Sequence, residues 1–317
     1  MTGAGGFIGS HLVEALVRRG ARTIAFVHYN ALGSWGWLDS SPLKKKIEVV
    51  AGDVCDLDMV TQVMKKVDIV FHLAALIGIP YSYRAPESYV RTNIGGTLNI
   101  LQAARRFRLE RLVFTSTSEV YGTAQYIPID ESHPLQAQSP YAATKTGADQ
   151  LVKAFHHSFN LPIVTVRPFN TFGPRQSSRA IIPTIITQCL KGKKVFLGNQ
   201  HPKRDLNYVS DVVEGFLLAA SSAQTIGQTV NLGSGNAISI YELAELVGKL
   251  IRKKITIKTQ PQRIRPKKSE VECLQANNSL VRELMGWKPR YSLEKGLQLT
   301  IRWIKNHLKR YPNGYAL

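Results

Sequence analysis

The sequence predicts an α/β fold of the Rossmann type, a doubly wound parallel sheet with a smaller C-terminal α/β substrate lobe. Three observations predict it. Short apolar runs alternate with amphipathic segments through the first half of the chain. A glycine-rich turn, Thr2-Gly3-Ala4-Gly5-Gly6-Phe7-Ile8-Gly9, opens the first helical pattern. After residue 167 the alternation gives way to an irregular stretch punctuated by Pro168, Gly173, Pro174 and Pro183.

The elements follow in order. Helical periodicity covers residues 9–19, and strands are expected at 23–27, 47–50 and 67–73. A helix near 93–106, a strand at 112–116, a helix over 140–159 and a strand at 163–167 complete the first half. Beyond it the pattern gives a helix at 181–190, a helix at 211–220 and a strand at 229–232 that return to the sheet, and helices at 239–251 and 293–306. The expected division is residues 1–167 plus about 206–236 for dinucleotide binding, and 168–205 plus 237–317 for the smaller lobe.

A length of 317 residues suits such a two-lobed enzyme with a substantial core. No run approaches the ~20 apolar residues of a membrane span, and the N-terminus lacks a signal-peptide pattern. A cytoplasmic, membrane-free protein is expected. Cys55, Cys189 and Cys273 lack the spacing of a disulfide framework or metal site, so reduced thiols and no metal are expected. The net charge of +19 would suit a polyanionic ligand. Because the Lys and Arg residues are scattered and no nucleic-acid module accompanies them, specific nucleic-acid binding is not expected.

In the glycine turn, Gly3, Gly6 and Gly9 have the spacing that a dinucleotide pyrophosphate requires. The first permits a tight turn, the second lets phosphate approach backbone N–H groups, and the third lets helix and sheet pack closely. Phe7 and Ile8 lie within the same turn. Only Met1 precedes Thr2, where four or five apolar strand residues are usual. Either the sequence starts part-way through that strand or the strand is a stub; in the first case, adding upstream residues is expected to raise the melting temperature. The next marker, an acid at the end of the second strand for the adenosine ribose, is missing: Val27 is followed by His28, Tyr29 and Asn30. NAD is the expected cofactor, with NADP left open because His28 would tolerate a 2′-phosphate. Asp53 and Val54, after the third strand, are expected at the adenine.

Tyr141 and Lys145 form a YxxxK pair one helical turn apart, hence on one face. For a tyrosine of ordinary pKa about 10 to act as base near neutrality, its pKa must fall by about 3, worth about 4 kcal/mol. A neighbouring ammonium and a positive nicotinamide ring both act in that direction. Upstream, Thr115-Ser116-Thr117-Ser118-Glu119-Val120-Tyr121-Gly122 leaves a strand end, where α/β sheets place their ligands.

With the glycine turn and YxxxK in this order, the chain resembles the extended short-chain dehydrogenase/reductase family from Thr2 to about Trp303. His72-Leu73-Ala74-Ala75, Asn93 and Arg167-Pro168-Phe169-Asn170-Thr171-Phe172-Gly173-Pro174 carry the resemblance further. It implies that Thr117 hydrogen-bonds the sugar 4-hydroxyl, Tyr141 takes its proton, and Lys145 holds the nicotinamide ribose while depressing the tyrosine pKa. Leu73, Ala74, Ala75 and Asn93 are implied at the cofactor. Asn170, Arg204 and Arg265 are implied at the substrate diphosphate, where guanidinium forks suit phosphate oxygens. A homodimer pairing the helices of Tyr141 and Asn93 is implied too, and Ala148, Leu151, Val152 and Phe155 could be buried in it or in the core.

The fate of the substrate after oxidation at C4 rests on residues 118 and 119. Thr117-Ser118-Glu119 is similar to the triplet of GDP-mannose 4,6-dehydratases, in which Glu119 would take the C5 proton and Ser118 would be a weak acid for the departing hydroxyl. Nucleotide-sugar decarboxylases share the triplet. The segments Tyr29-Asn30, Ser34-Trp35-Gly36-Trp37-Leu38-Asp39, Ile79-Pro80-Tyr81-Ser82-Tyr83 and Gln176-Ser177-Ser178-Arg179-Ala180 look like dehydratases of the legionaminic-acid pathway, which implies a nucleotide-linked N-acetylglucosamine. The Trp-rich segment could equally cap the core. Dehydratase is favoured over 4-epimerase and then UDP-glucuronate decarboxylase. A non-catalytic dinucleotide sensor is disfavoured by the intact Thr117, Tyr141 and Lys145.

Overall fold

The computed structural model describes residues 1–311. It begins α1 (Phe7–Arg18), β1 (Ile24–His28), β2 (Glu48–Gly52), α2 (Leu57–Met64), β3 (Ile69–His72), the short α3 (Ile79–Ser82) and α4 (Pro86–Tyr89), α5 (Gly96–Phe107), β4 (Arg111–Thr115), α6 (Pro140–Phe159) and β5 (Ile163–Pro168). It continues with β6 (Asn170–Phe172), α7 (Ile181–Lys191), β7 (Lys194–Leu197), β8 (Lys203–Tyr208), α8 (Val209–Ser221), β9 (Thr229–Leu232), β10 (Ala237–Ser239), α9 (Ile240–Ile251), β11 (Thr256–Thr259), β12 (Cys273–Leu274), α10 (Ser279–Met285) and α11 (Leu293–Asn306).

Strands β3, β4, β5 and β9 form one parallel sheet, and β1 pairs with β2 in parallel. Thr2 joins the two groups, bridging Phe26 on one side and His72 on the other. Thr2 N donates to Phe71 O at 3.0 Å and Phe26 N donates to Met1 O at 2.8 Å. The central position of the sheet is therefore held by Met1 and Thr2, and the direction of winding reverses there. Such a switch point leaves a crevice at the carboxyl ends of the strands.

Buried strands read as continuous apolar runs because helices cover both faces. Helix α8 packs on β4 and β5 and against α1, while α5 packs between α2 and α6. The core joins Leu12, Val27, Val113, Val166, Phe216 and Leu232, and a second cluster under α5 and α6 contains Ile100, Leu112, Phe114, Ala148 and Val152. Outside this sheet, β8 pairs with β6, β10 and β12, and β7 with β11.

Each helix and strand expected from the sequence is present, with ends shifted by a few residues. The strand expected at 67–73 is confined to Ile69–His72. The helix expected to begin near Asn93 opens instead with a π-helical turn, Val90–Gly95, which runs into α5. Helix α2 and the short strands of the second lobe carry no periodicity long enough to register. The start of α2 is fixed by Asp56, whose carboxylate accepts from Asp58 N and Met59 N.

Candidate active site

The crevice at the switch point opens into a cavity of about 1550 Å³ that runs from the glycine turn to Arg204 and Arg265. The glycine turn forms one end. Gly3 has φ +66°, and a Cβ there would lie 2.8 Å from Leu73 C and Ala74 N; one on Gly9 would collide with Gly3 O. Gly6 caps α1 without any side-chain hydrogen bond, so the first N–H groups of the helix lack an intrahelical partner and face an end of the dipole that favours anions. Gly3, Gly6, Phe7, Ile8 and Gly9 all line the cavity, a cradle that fits a pyrophosphate.

The Trp-rich segment closes on this turn. Trp37 N donates to Gly5 O at 3.0 Å, and the carbonyl of Trp35 occupies the space a Gly5 Cβ would take. Trp35 lines the cavity, while Trp37 stacks edge-on against Trp303 with centroids 5.3 Å apart. The segment is thus both a cavity wall and a cap on α11. His28, Asp53 and Val54 lie at the same end, and the Asp53 carboxylate accepts from Cys55 N at 2.9 Å.

Leu73, Ala74 and Ala75 line the cavity beyond β3. They are held from behind by groups whose part the sequence did not disclose. Thr2 Oγ1 accepts from Ala74 N at 3.1 Å and lies 2.8 Å from His72 Nδ1; His72 Nε2 lies 3.2 Å from Thr97 Oγ1, which itself donates to Asn93 O. That chain assigns the proton of a neutral imidazole to Nε2. Burial, with help from the Lys145 ammonium, drives the His72 pKa down to about 3. Asn93 is absent from the cavity wall. Its Oδ1 accepts from Leu76 N and its Nδ2 donates to Leu76 O and Thr144 Oγ1, so it anchors the loop after β3 that lines the cavity. The π-helical turn carries Asn93 to this anchoring position between the loop after β3 and α6.

The chemical centre lies where β4 ends and α6 begins. Thr117 caps the turn Ser118–Tyr121, its hydroxyl accepting from Glu119 N at 3.2 Å. Ser139 caps α6 by accepting from Ala142 N at 3.1 Å, with Pro140 next, and this starts the helix that carries Tyr141 and Lys145. Thr117, Ser118, Glu119, Tyr141 and Lys145 all line the cavity. Tyr141 is buried, and Thr117 hydrogen-bonds its hydroxyl. Burial raises its pKa above the ordinary phenol range; the Thr117 hydrogen bond opposes the rise and the Glu119 carboxylate adds to it.

The Lys145 ammonium donates to Thr115 O at 2.7 Å and lies 4.5 Å from the centre of the Phe114 ring. Burial lowers its pKa to about 8, against the opposing pull of Asp149. Asp149, a further turn along α6, is fixed by Arg167 at 2.8 and 3.2 Å, and Arg167 also donates to the Tyr121 hydroxyl, which donates to Asn231 Oδ1. This buried network locks the middle of α6 to β5 and β9.

The far wall holds Asn170, Arg204 and Arg265. The structure brings all three to one region although they come from β6, β8 and the loop before β12. Asn170 Oδ1 and Arg265 Nη1 are buried without a hydrogen-bond partner, although Arg265 Nη1 lies within ion-pair reach of Glu270. Burial works against the charge of Arg204, while Glu119 and Glu270 favour it. Glu270, which had no signal in the sequence beyond its nearness to Arg265, lies 3.4 Å from Arg204 and 3.7 Å from Arg265. Among the described residues no group of three or more potential metal ligands converges, and no helix is long and apolar enough to cross a membrane.

Comparison with known proteins agrees with this geometry. Residues 1–300 match the family model described as GDP-mannose 4,6 dehydratase. The chain is 31% identical to the dTDP-glucose 4,6-dehydratase of an Actinoplanes species, over 96% of this chain and 97% of the relative. It is also 31% identical to the UDP-glucuronate 4-epimerase of Thermodesulfobacterium geofontis, over 98% and 96%. A solved UDP-glucuronic acid 4-epimerase from Bacillus cereus, in complex with UDP-4-deoxy-4-fluoro-glucuronic acid and NAD, superimposes with a TM-score of 0.89 at 29% identity, over 96% of this chain and 98% of that one. Matched across nearly its full length in sequence and in fold, the chain belongs to the GDP-mannose 4,6-dehydratase family, among the NAD-dependent nucleotide-sugar epimerases and dehydratases of the extended short-chain dehydrogenase/reductase group.

Proposed function

We propose that this enzyme is a nucleotide-sugar 4,6-dehydratase whose substrate is a nucleoside-diphosphate N-acetylglucosamine. The observation that carries the reading is the Glu119 carboxylate, which shares one cavity wall with the Thr117–Tyr141 hydroxyl pair. An oxidation at C4 requires only the hydroxyl pair and the lysine. A carboxylate at the next position but one adds a base for the carbon acid that a C4 carbonyl creates.

The cofactor is NAD, and the fit of the glycine cradle to a pyrophosphate supports it. When bound, it supplies reversible hydride transfer and a positive ring beside Tyr141. Gly3, Gly6, Phe7, Ile8 and Gly9 would present N–H groups to its pyrophosphate; His28, Asp53 and Val54 would flank its adenosine, and Leu73, Ala74 and Ala75 the remainder. Tyr141 accepts the proton of the sugar 4-hydroxyl while Thr117 orients that oxygen. Lys145 holds the nicotinamide ribose and opposes the rise of the tyrosine pKa that burial imposes. Glu119 takes the C5 proton and delivers it to the C6 hydroxyl, which leaves as water with Ser118 beside it; the hydride removed from C4 would then return to C6 while C5 takes up a proton. Asn170, Arg204 and Arg265 hold the diphosphate. Residues 168–205 and 237–317 form the lobe that binds it, and residues 1–167 with about 206–236 the dinucleotide lobe. A homodimer paired through α5 and α6 is part of the same reading, in a cytoplasmic setting that supplies nucleotide sugars for cell-surface polysaccharide.

The epimerases among the relatives, at the same identity as the dehydratases, favour a 4-epimerase as the second reading. Incubating the protein with UDP- and GDP-N-acetylglucosamine, UDP-glucose and UDP-glucuronate and weighing the products separates the two. Loss of one water supports dehydration. A new sugar of unchanged mass overturns it in favour of epimerisation, and no turnover of any sugar removes the enzymatic reading.

A further inference from the structure

We infer that Glu270 is a built-in counter-anion of the substrate site: its carboxylate stands between Arg204 and Arg265 where a diphosphate must bind, and limits the affinity of the site for one. This rests on the reading of Arg204 and Arg265 as diphosphate ligands.

The placement is not that of a side chain on a loose loop. Glu270 follows a 3₁₀ turn, Lys267–Ser269, whose last residue is pinned twice across the cavity mouth. The Ser269 hydroxyl lies 2.6 Å from the Tyr83 hydroxyl and donates to Gln138 O, while Gln138 Nε2 donates to Lys268 O at 3.0 Å. On the other side Val271 is buried in a cluster with Phe169 and Leu274. With the backbone held at both ends, only rotation of its own side chain can take the carboxylate away from the two guanidinium groups.

The electrostatics give this position a purpose. Arg204 and Arg265 repel one another, and the burial of Arg204 makes its charge costly. Glu270 offsets both effects while no ligand is bound. The ion pairs it makes, at 3.4 and 3.7 Å, are longer than a charge-assisted hydrogen bond, and Arg265 Nη1 is left without a hydrogen-bond partner. Two diphosphate oxygens can satisfy those donors better than one carboxylate. A diphosphate that enters must therefore displace Glu270 or share the arginines with it, and either way the negative charge opposes binding. The same charge speeds the departure of a bound diphosphate.

The test is calorimetric titration of GDP and UDP into the wild type, Glu270→Gln and Glu270→Ala, with guanosine and uridine as probes lacking the diphosphate, and with folding of each variant checked by its melting curve. Removing one charge from a partly buried site predicts about tenfold tighter nucleoside-diphosphate binding by Glu270→Gln. The gap should widen at low salt, and nucleoside binding should not change. Glu270→Ala, which also removes the hydrogen-bonding end, should bind tighter too. Equal or weaker binding by both variants, with wild-type binding intact, overturns the role of Glu270 alone; it would mean that the carboxylate positions the arginines for the ligand. A wild type that binds neither GDP nor UDP overturns the diphosphate reading of the site, and this inference with it.

Discussion

The Lys145 ammonium donates to the carbonyl oxygen of Thr115 at 2.7 Å, so the helix that carries Tyr141 is tied to the strand that leads to Thr117. The bond ties the start of α6 to the end of β4 and holds a buried cation at that junction, where the proposed mechanism needs one. Lys145→Met should therefore lower kcat/KM by about 10²–10³-fold, the scale of a lost charge-assisted contact at the reacting group. Because burial opposes the lysine charge, the melting temperature should not fall with the activity. Steady-state rates and a melting curve on the same sample check this; loss of stability in proportion to activity would assign Lys145 a structural role only.

Asp149 and Arg167 form the buried ion pair at the middle of α6. Removing one partner of such a pair leaves an uncompensated charge, so Asp149→Ala should destabilise the protein by about 3–5 kcal/mol in urea unfolding. Tyr121→Phe, which deletes a neutral hydroxyl from the same network, should cost about 1–3 kcal/mol. A cost below 1 kcal/mol for Asp149→Ala would show that α6 is held without the pair.

The pH dependence of stability should follow His72 and His11. Both bases are depressed in the folded state, chiefly by burial, to about 3 and about 4. The unfolded chain takes up these protons below about 6.5 and the folded chain does not, so stability must fall as pH drops from about 6.5 toward 4. His72 alone should contribute a loss of about 2 kcal/mol by pH 5. His72→Gln should flatten the slope of melting temperature against pH between 6.5 and 5. A wild-type profile that is flat in that window contradicts the neutral, buried imidazole.

The α/β winding was legible because each buried strand is an apolar run and each covering helix has an amphipathic face, as in 112–116 and 140–159. The glycine turn and YxxxK were legible because their chemistry needs fixed spacings along one short element. What the sequence withheld was contact between distant elements. The bond of His72 to Thr2 and Thr97 joins three parts of the chain, and no local pattern marks it. Asn93 could be placed near the cofactor, but the π-helical turn that rotates its amide onto Leu76 leaves no trace in residue spacing. Glu270 is seen as part of the site only once the strap before β12 is folded across the cavity mouth.

Glu119 distinguishes the proposed dehydratase, since in that mechanism oxidation at C4 needs only Thr117, Tyr141 and Lys145. The most direct measurement is a single-turnover experiment with Glu119→Gln and the nucleoside-diphosphate N-acetylglucosamine that the wild type consumes, following reduced-nicotinamide absorbance and product mass together. The account predicts that the absorbance rises and persists while no water is lost, because oxidation proceeds and elimination stops. Water loss by Glu119→Gln at the wild-type rate would contradict it.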